Sequence, residues 1–535
     1  MGAHALVVCV TTAPVPSGLR RVLRGGAVNM AGAMVGAVLN LALIVAITRA
    51  FSQETAGLLF SATSVFLIAA AVANLGASDG LVYFIARMRV LGGSGGVPHL
   101  LRLATGPAVL AACATAALLV VFADPLSRAL GDGQAGVYLR LVALFLPFAV
   151  LTETALAATR AHHDMTATAL LDKTGRPLAQ LGLVGVVVAA GSSGLLALAW
   201  AGPYLPAAAL AWFWLGRVLR RSVPEETVPE SAVGPDASEH ASFSLARTGG
   251  VPGSPGGPAA RGADGRVDPS TFWSFALPRA AAGVAQMGVQ RGGVVLVALL
   301  GGPGGAAVFM AATRVMVVGQ FGTQAVSYAA QPRFAEQLAA GDHVGVRALY
   351  QAGTAWLVCL VWPLYLSALM FAPEVMRLFG EDYSAGAEAL AVVCVGQVSA
   401  AVLGMGDLVL TMTGRTRLNL LNHTLALVSL LLLCVFLVPV AGTTGAAVAL
   451  VVAVLLRKVL PLWQLRSLVV LHPFGRPVVI AAAGSLVWFG VLPSLWEAVL
   501  GGGVTTLVLA VSVGAAGHLM TMWSLRGPLS LDPRL

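Results

Sequence analysis

Ala190-Gly-Ser-Ser-Gly194 and Ala441-Gly-Thr-Thr-Gly445 are near-copies of one another at an offset of 251 residues, and each is a short Gly-containing connection between two long apolar runs. Other pairs keep nearly the same spacing. Phe60-Ser-Ala62 recurs as Phe309-Met-Ala311 at an offset of 249. Asn29, Gly36 and Asn40, spaced i, i+7, i+11, share one helical face, and Arg279, Gln286 and Gln290 repeat that face at an offset of 250. Glu153, seven residues before Arg160, has a counterpart in Asp407, eight residues before Arg415. Chance accounts for any one match in a chain rich in Ala and Gly. A shared offset in four regions is better explained by duplication.

The repeated unit is a set of membrane helices. Of 535 residues, 58% are hydrophobic and only 10% charged, whereas soluble domains carry about 25% charged residues. Apolar runs of the ~20 residues needed to cross a bilayer divide the chain into about fourteen spans. The seventh covers 273–300, the eighth 304–330, and the fifth, 174–190, is shortened by Asp172, Lys173 and Arg176. With the start of the chain on the cytoplasmic side, the even-numbered connections, the span ends that join them and both termini hold 26 of the 32 Lys and Arg. The odd-numbered connections hold Arg49, Arg128, Arg140 and Arg377, which is the asymmetry of a protein with both termini inside. One helix more or fewer upstream would invert every later loop and erase it.

The expected architecture is therefore an all-α polytopic membrane protein. It comprises a cytoplasmic segment 1–24, a six-helix lobe 25–216, a disordered cytoplasmic linker 217–272, a second six-helix lobe 273–466, two further helices within 477–523, and a tail 524–535. Because six is even, both lobes enter from the same side as parallel repeats about a pseudo-two-fold along the membrane normal. The linker holds 7 Pro and 8 Gly between Ser222 and Ser270, too little apolar surface to fold. No signal peptide is read at the start, and Leu6 stands where myristoylation wants Ser or Thr. The five cysteines lie far apart, with no zinc spacing or disulfide framework. The net charge of +9 is explained by topology and not by nucleic acid.

Polar groups inside the spans point to function. Thr313, Gln320, Gln324, Ser327 and Gln331 fall near one line of the eighth span, and Gln286 and Gln290 on the seventh form a matching stripe, so both are expected to line one space. Arg291 lies nine residues, and Arg314 ten, from the outer ends of their spans, which puts both ~15 Å deep. Each would cost roughly 2.5–3.5 kcal/mol at a lipid-facing helix centre, and neither span offers a carboxylate at that depth. A fixed arginine pair suits a phosphate or pyrophosphate, whose oxygens match the planar fork of guanidinium donors. Asp79, Glu153 and Asp407, near the cytoplasmic ends of their spans, either couple transport to an ion or neutralise Arg87, Arg160 and Arg415.

Several stretches resemble the MOP flippase superfamily, in particular its polysaccharide transporter and O-antigen flippase branch. They are the Gly-rich first span, Ala73-Asn-Leu-Gly-Ala-Ser-Asp-Gly80, Phe371-Ala-Pro-Glu-Val-Met-Arg-Leu-Phe-Gly-Glu-Asp-Tyr383, Thr413-Gly-Arg-Thr-Arg-Leu-Asn419 and Val440-Ala-Gly-Thr-Thr-Gly-Ala-Ala447. The resemblance covers most of residues 25–465. It implies a bacterial plasma-membrane protein that moves an undecaprenyl-diphosphate-linked oligosaccharide from the inner to the outer leaflet by rocking two lobes around a central cavity. It further implies that the last two spans help hold the polyprenyl tail.

On that reading Arg291 and Arg314 hold the diphosphate and Arg279 meets it near the cytoplasmic mouth. Asn29, Asn40, Gln286, Gln290, Gln320 and Gln324 bond the sugars. No cofactor or metal is required, and the partners are the lipid-diphosphate-linked sugar, membrane lipids and envelope glycosyltransferases. Two features depart from relatives: the first span lacks the arginines of lipid II flippases, and spans one and seven lack the acidic residue of many multidrug exporters. Alternatives are a cation-coupled multidrug antiporter, a membrane glycosyltransferase or polymerase, for which the outer loops are short, and a transport-inactive scaffold.

Overall fold

The computed structural model describes residues 17–90, 96–129, 134–221, 267–501 and 503–524, with side chains of the first helix described from Gly32 onward. Among these residues the elements are all helical. That follows from composition: in hydrocarbon each backbone N–H and C=O must be satisfied within its own segment. Long runs of Ala, Leu and Val do so as helices with nothing polar left to bury.

The first half comprises α1 (Ser17–Ala50), α2 (Gln53–Ala73), α3 (Ala77–Val90), α4 (Val97–Val121), α5 (Ala123–Ala129), α6 (Gln134–Ala143) and α7 (Leu146–Ala161). A π-helical turn, Thr168–Gly175, then runs into α8 (Arg176–Ala189), followed by α9 (Leu196–Ala201) and α10 (Tyr204–Arg221). The second half comprises α11 (Pro269–Ala312), α12 (Arg314–Ala339), α13 (His343–Met370), α14 (Ala372–Arg377), α15 (Ala387–Val402), α16 (Gly406–Met412) and α17 (Thr416–Leu465). After it come α18 (Arg476–Leu486), α19 (Leu492–Leu500) and α20 (Val504–Ser524). Side chains close exposed helix starts: Ser52 accepts from the Thr55 amide, Asp268 from Ser270 and Thr271, and Asp342 from Gly345.

Among the described residues eleven helical stretches are long and apolar enough to cross a membrane, and two of these, Pro269–Ala339 of 71 residues and Arg417–Leu465 of 49, are too long to cross once. At 1.5 Å per residue the first would measure roughly 106 Å against a core of about 30 Å. Each turns back at a glycine in a conformation that a side chain would oppose: Gly302 (φ 82°, ψ 166°) and Gly442 (φ 54°, ψ −131°). Gly442 sits in the second copy of the repeated connection. Its counterpart Gly191, 251 residues earlier, is also left-handed, with φ 64°. Dividing the two long runs yields thirteen crossings. The expected fifth span, interrupted by Asp172, Lys173 and Arg176, falls outside the apolar set, so a count of fourteen depends on admitting it.

Within the first half α7 packs on α3, α4 and α10, and α1 packs on the π-turn and α8; within the second, α13 packs on α12 and α15, and α15 on α17. Buried ring donors fasten these pairs. Trp212 Nε1 donates to the Leu151 carbonyl at 3.1 Å, Trp362 Nε1 to Val398 at 3.1 Å, and Tyr350 Oη to Leu403 at 2.5 Å. The last two spans lean on α13, where the His518 ring bonds the Cys359 carbonyl at 3.0 Å. Large apolar side chains such as Leu110, Phe436, Val440 and Met520 stay exposed on the outside, the surface of a multi-pass protein solvated by lipid.

The two halves meet along a seam between α2–α3 and α11. Three glycines make it close: a β-carbon on Gly57 would collide with the Pro303 carbonyl, on Gly76 with the Ala276 carbonyl, and on Gly80 with the Phe272 ring. At one end of the seam Tyr83 stacks on Phe275 with centroids 4.2 Å apart, and Phe84 sits 5.5 Å from Phe272 and 5.4 Å from Phe275. At the other end Arg49 donates to the carbonyls of Leu378 and Arg377 at 2.8 and 3.0 Å. Most of the expected linker, residues 222–266, lies outside the described residues, as do 1–16 and 525–535.

Candidate functional site

The turn at Gly302 folds the second arm of α11 back on the first and so brings Met310 against Arg291, while Arg314, four residues on from Met310 just past the near-helical Thr313, reaches the same side chain. Arg291 Nη1 lies 3.9 Å from Met310 Sδ and Arg314 Nη2 lies 3.1 Å from the same sulfur, while Arg314 Nε donates to the Met310 carbonyl at 3.2 Å. Arg291 Nε is buried with no hydrogen-bond partner. Neither arginine forms an ion pair among the described residues. A thioether is a weak acceptor, so two partly buried cations are held near one another with little to neutralise them.

Across from this pair stands the interrupted fifth span. Its π-turn places Asp172 between Lys173 and Arg176, each at 3.0 Å, and Arg176 lies over the Tyr204 ring, 4.9 Å from its centroid. Tyr204 in turn is within electrostatic range of Arg291. Tyr204 thus stands between Arg176 and Arg291, while Asp172 is already paired with Lys173 and Arg176. Arg291 and Arg314 are expected from the sequence as a pair, whereas Asp172, Lys173 and Arg176 enter there only as the residues that shorten the fifth span. The available signal was the one applied to Arg291: an ionisable side chain inside a membrane segment is there for a reason.

The glutamines occupy a second space, inside the second half. Gln286, Gln290, Gln320 and Gln324 line a cavity of ≈ 230 Å³ walled by α11, α12, α13, α15, α16 and α17, with Gln397 on a further wall. The cavity begins one residue from Arg291 and two from Arg314, at Gln290 and Met316. Asp407 also lines it, joined to Lys458 Nζ at 3.2 Å, and Lys458 donates to the Gly404 carbonyl at 3.1 Å. The expected counter-charge for Asp407 was Arg415. Gly414, left-handed at φ 75°, turns the chain between them, and the far arm of α17 brings Lys458 instead.

Arg457 and Lys458 also line this cavity, although the charge pattern of the sequence places them among the inner-side charges.

Other candidates are elsewhere. Asn40 donates to the Gly36 carbonyl of its own helix at 2.8 Å, and that face of α1 meets the backbone of Lys173, so Asn40 does not reach the glutamine cavity. Asn29 is on α1, outside the residues whose side chains are described. Arg279 stacks on Phe275 at 3.7 Å, at the aromatic end of the seam and ~18 Å along α11 from Arg291. Asp79 and Glu153 are exposed, and Glu153 lies within electrostatic range of Arg160, Asp172 and Asp79. No group of three His, Cys, Asp or Glu that could hold a metal ion is present among the described residues.

No family model matches the chain, and no curated protein matches it by sequence. Solved structures do match. The lipid II flippase MurJ in an inward closed conformation aligns over 94% of this chain and 99% of its own, with a TM-score of 0.66 at 11% identity. An inward-facing multidrug resistance MATE family transporter of the MOP superfamily aligns over 81% and 94%, with a TM-score of 0.59 at 14% identity. A MOP superfamily transporter from Pyrococcus furiosus, described as having a binding pocket of reversed polarity, aligns over 84% and 95%, with a TM-score of 0.52 at 15% identity. The chain has the fold of MOP-superfamily transporters.

Proposed function

We propose that this protein is a flippase or exporter that carries an undecaprenyl-diphosphate-linked oligosaccharide, or a related cell-envelope glycolipid, from the cytoplasmic to the outer leaflet. The observation that carries the reading is the arginine pair that shares Met310 with no carboxylate partner. Two partly buried guanidiniums repel each other, and a ligand bearing two adjacent phosphate charges relieves that repulsion while supplying the acceptors that a sulfur lacks. Arg176 and Lys173 extend the positive field from the opposite half. A cationic drug would meet the same field as a barrier, which disfavours the multidrug antiporter.

In this mechanism the headgroup enters between the halves while the tail stays in lipid. Arg291 and Arg314 hold the diphosphate, and the glutamines of the neighbouring cavity receive sugar hydroxyls. The seam between α2–α3 and α11 parts at one end and closes at the other to change access. Asp79, Glu153 and Asp407 are the candidate coupling groups. Outward movement of about two negative charges through an inside-negative potential of 100 mV releases ~4–5 kcal/mol, enough to drive transport without a nucleotide. Alignment with MurJ over nearly the whole chain, against 81–84% for the other two structures, is consistent with a role for α18–α20 beside the tail.

The test is flipping of a fluorescent lipid-diphosphate sugar in vesicles containing the purified protein. Arg291→Gln and Arg314→Gln should each lower the rate at least tenfold, with unchanged insertion. Wild-type flipping by the double variant, or transport of cationic dyes in place of the glycolipid, would overturn the proposal.

A further inference from the structure

The cavity inside the second half carries one charge more than its own residues balance. Its carboxylate, Asp407, is taken by Lys458, and Arg457 also lies within electrostatic range of it. Two cations therefore share one anion. The Arg457 Nε is buried and finds no hydrogen-bond partner, although Arg457 lines the cavity. A buried donor left empty is costly, and it marks a place where an acceptor is expected.

The remaining lining narrows the acceptor. Five primary amides surround the space, on α11, α12 and α15. Each offers both a donor and an acceptor, the pattern that complements hydroxyl groups, which are themselves both. A volume of ≈ 230 Å³ far exceeds the ~10–15 Å³ that one water requires. The net charge of +1 matches a monoanion. A phosphate monoester, at about −1.5 to −2, would leave negative charge uncompensated in the protein interior.

We propose that this cavity receives a carboxylate-bearing sugar ring of the cargo, with Arg457 taking the carboxylate and the glutamine side chains taking the hydroxyls. The inference rests on the glycolipid reading above and specifies its cargo: an oligosaccharide containing a uronic acid. Gln290 and Met316 border both sites along α11 and α12, so a diphosphate on Arg291 and Arg314 would place the adjoining sugars at the mouth of the cavity.

The probe is free glucuronate, compared with glucose, titrated into the full-length protein in lipid nanodiscs and read by saturation-transfer NMR, with inorganic phosphate added to the Arg291→Gln protein as a competitor. Wild-type protein should prefer glucuronate to glucose by about tenfold. Arg457→Gln should abolish the preference, Arg457→Lys should retain part of it, and Gln397→Leu should weaken both sugars together. Equal binding of glucose and glucuronate by the wild type, retention of the preference by Arg457→Gln, or displacement of glucuronate from the Arg291→Gln protein by a smaller concentration of inorganic phosphate would each overturn the proposal, and the first needs no variant to fold. The two readings fail separately. Arg291→Gln should stop flipping yet leave glucuronate binding intact, whereas loss of glucuronate selectivity with flipping preserved would remove the uronic acid site alone.

Discussion

Replacing Arg314 by Met should make the unliganded protein more stable while it disables transport. The bonding nitrogens of Arg291 and Arg314 lie 3.9 and 3.1 Å from one sulfur, so they are no more than 7 Å apart. At an effective dielectric constant of about 20, two unit charges at ~7 Å repel by about 2 kcal/mol. Removing Arg314 relieves that repulsion and forfeits its hydrogen bond to the Met310 carbonyl, worth about 1 kcal/mol net. The balance is a gain of about 1 kcal/mol, or a melting point higher by about 2 °C. With ligand present the sign reverses, because a phosphate charge at ~4 Å from a guanidinium is held by roughly 4 kcal/mol at the same dielectric constant. Thermal unfolding of the purified protein, followed by tryptophan fluorescence, should show the wild type rising with inorganic pyrophosphate. A hundredfold excess over the dissociation constant corresponds to about 2.7 kcal/mol, and the variant should respond weakly or not at all. A variant that melts below the wild type, with pyrophosphate raising both equally, would refute the argument that the pair is a strained, anion-seeking site.

Lys458→Met should destabilise the second half by about 2 kcal/mol, below the full cost of an orphaned buried charge because both partners keep some exposure. Adding Asp407→Asn should restore most of the loss in the same melting assay. Gly57→Val should push α2 from Pro303 and cost roughly 3 kcal/mol by overpacking, read as loss of a cross-link between cysteines introduced across the seam. The Asp268 carboxyl, which caps α11 outside the membrane, is held below the usual carboxylate range by its hydrogen bonds to Ser270 and Thr271. Its contribution is present above the unfolded value and lost as pH falls through the folded one. The protection of the Ser270 and Thr271 amides, taken against the intrinsic exchange rate at each pH, should therefore fall in acid, and Asp268→Ala should lack that protection at every pH.

The one-dimensional pattern determined the membrane class and the helical character of nearly every segment, because these follow from local composition. Gly191 and Gly442, in the two near-identical connections, both take a positive φ, as a short Gly-containing turn requires. The helical-line arithmetic also identified Gln286, Gln290, Gln320 and Gln324 as residues lipid would not accept. A line on a helix does not say which neighbour it faces, and that depended on the three-dimensional packing. The turn at Gly302 brings Arg291 to the methionine that Arg314 meets locally, and the return of α17 at Gly442 brings Arg457 and Lys458 beside Asp407, some fifty residues away along the chain. Charge pairing in a low-dielectric interior is set by separations of a few ångströms between residues remote in sequence, so it emerges only when the helices are packed.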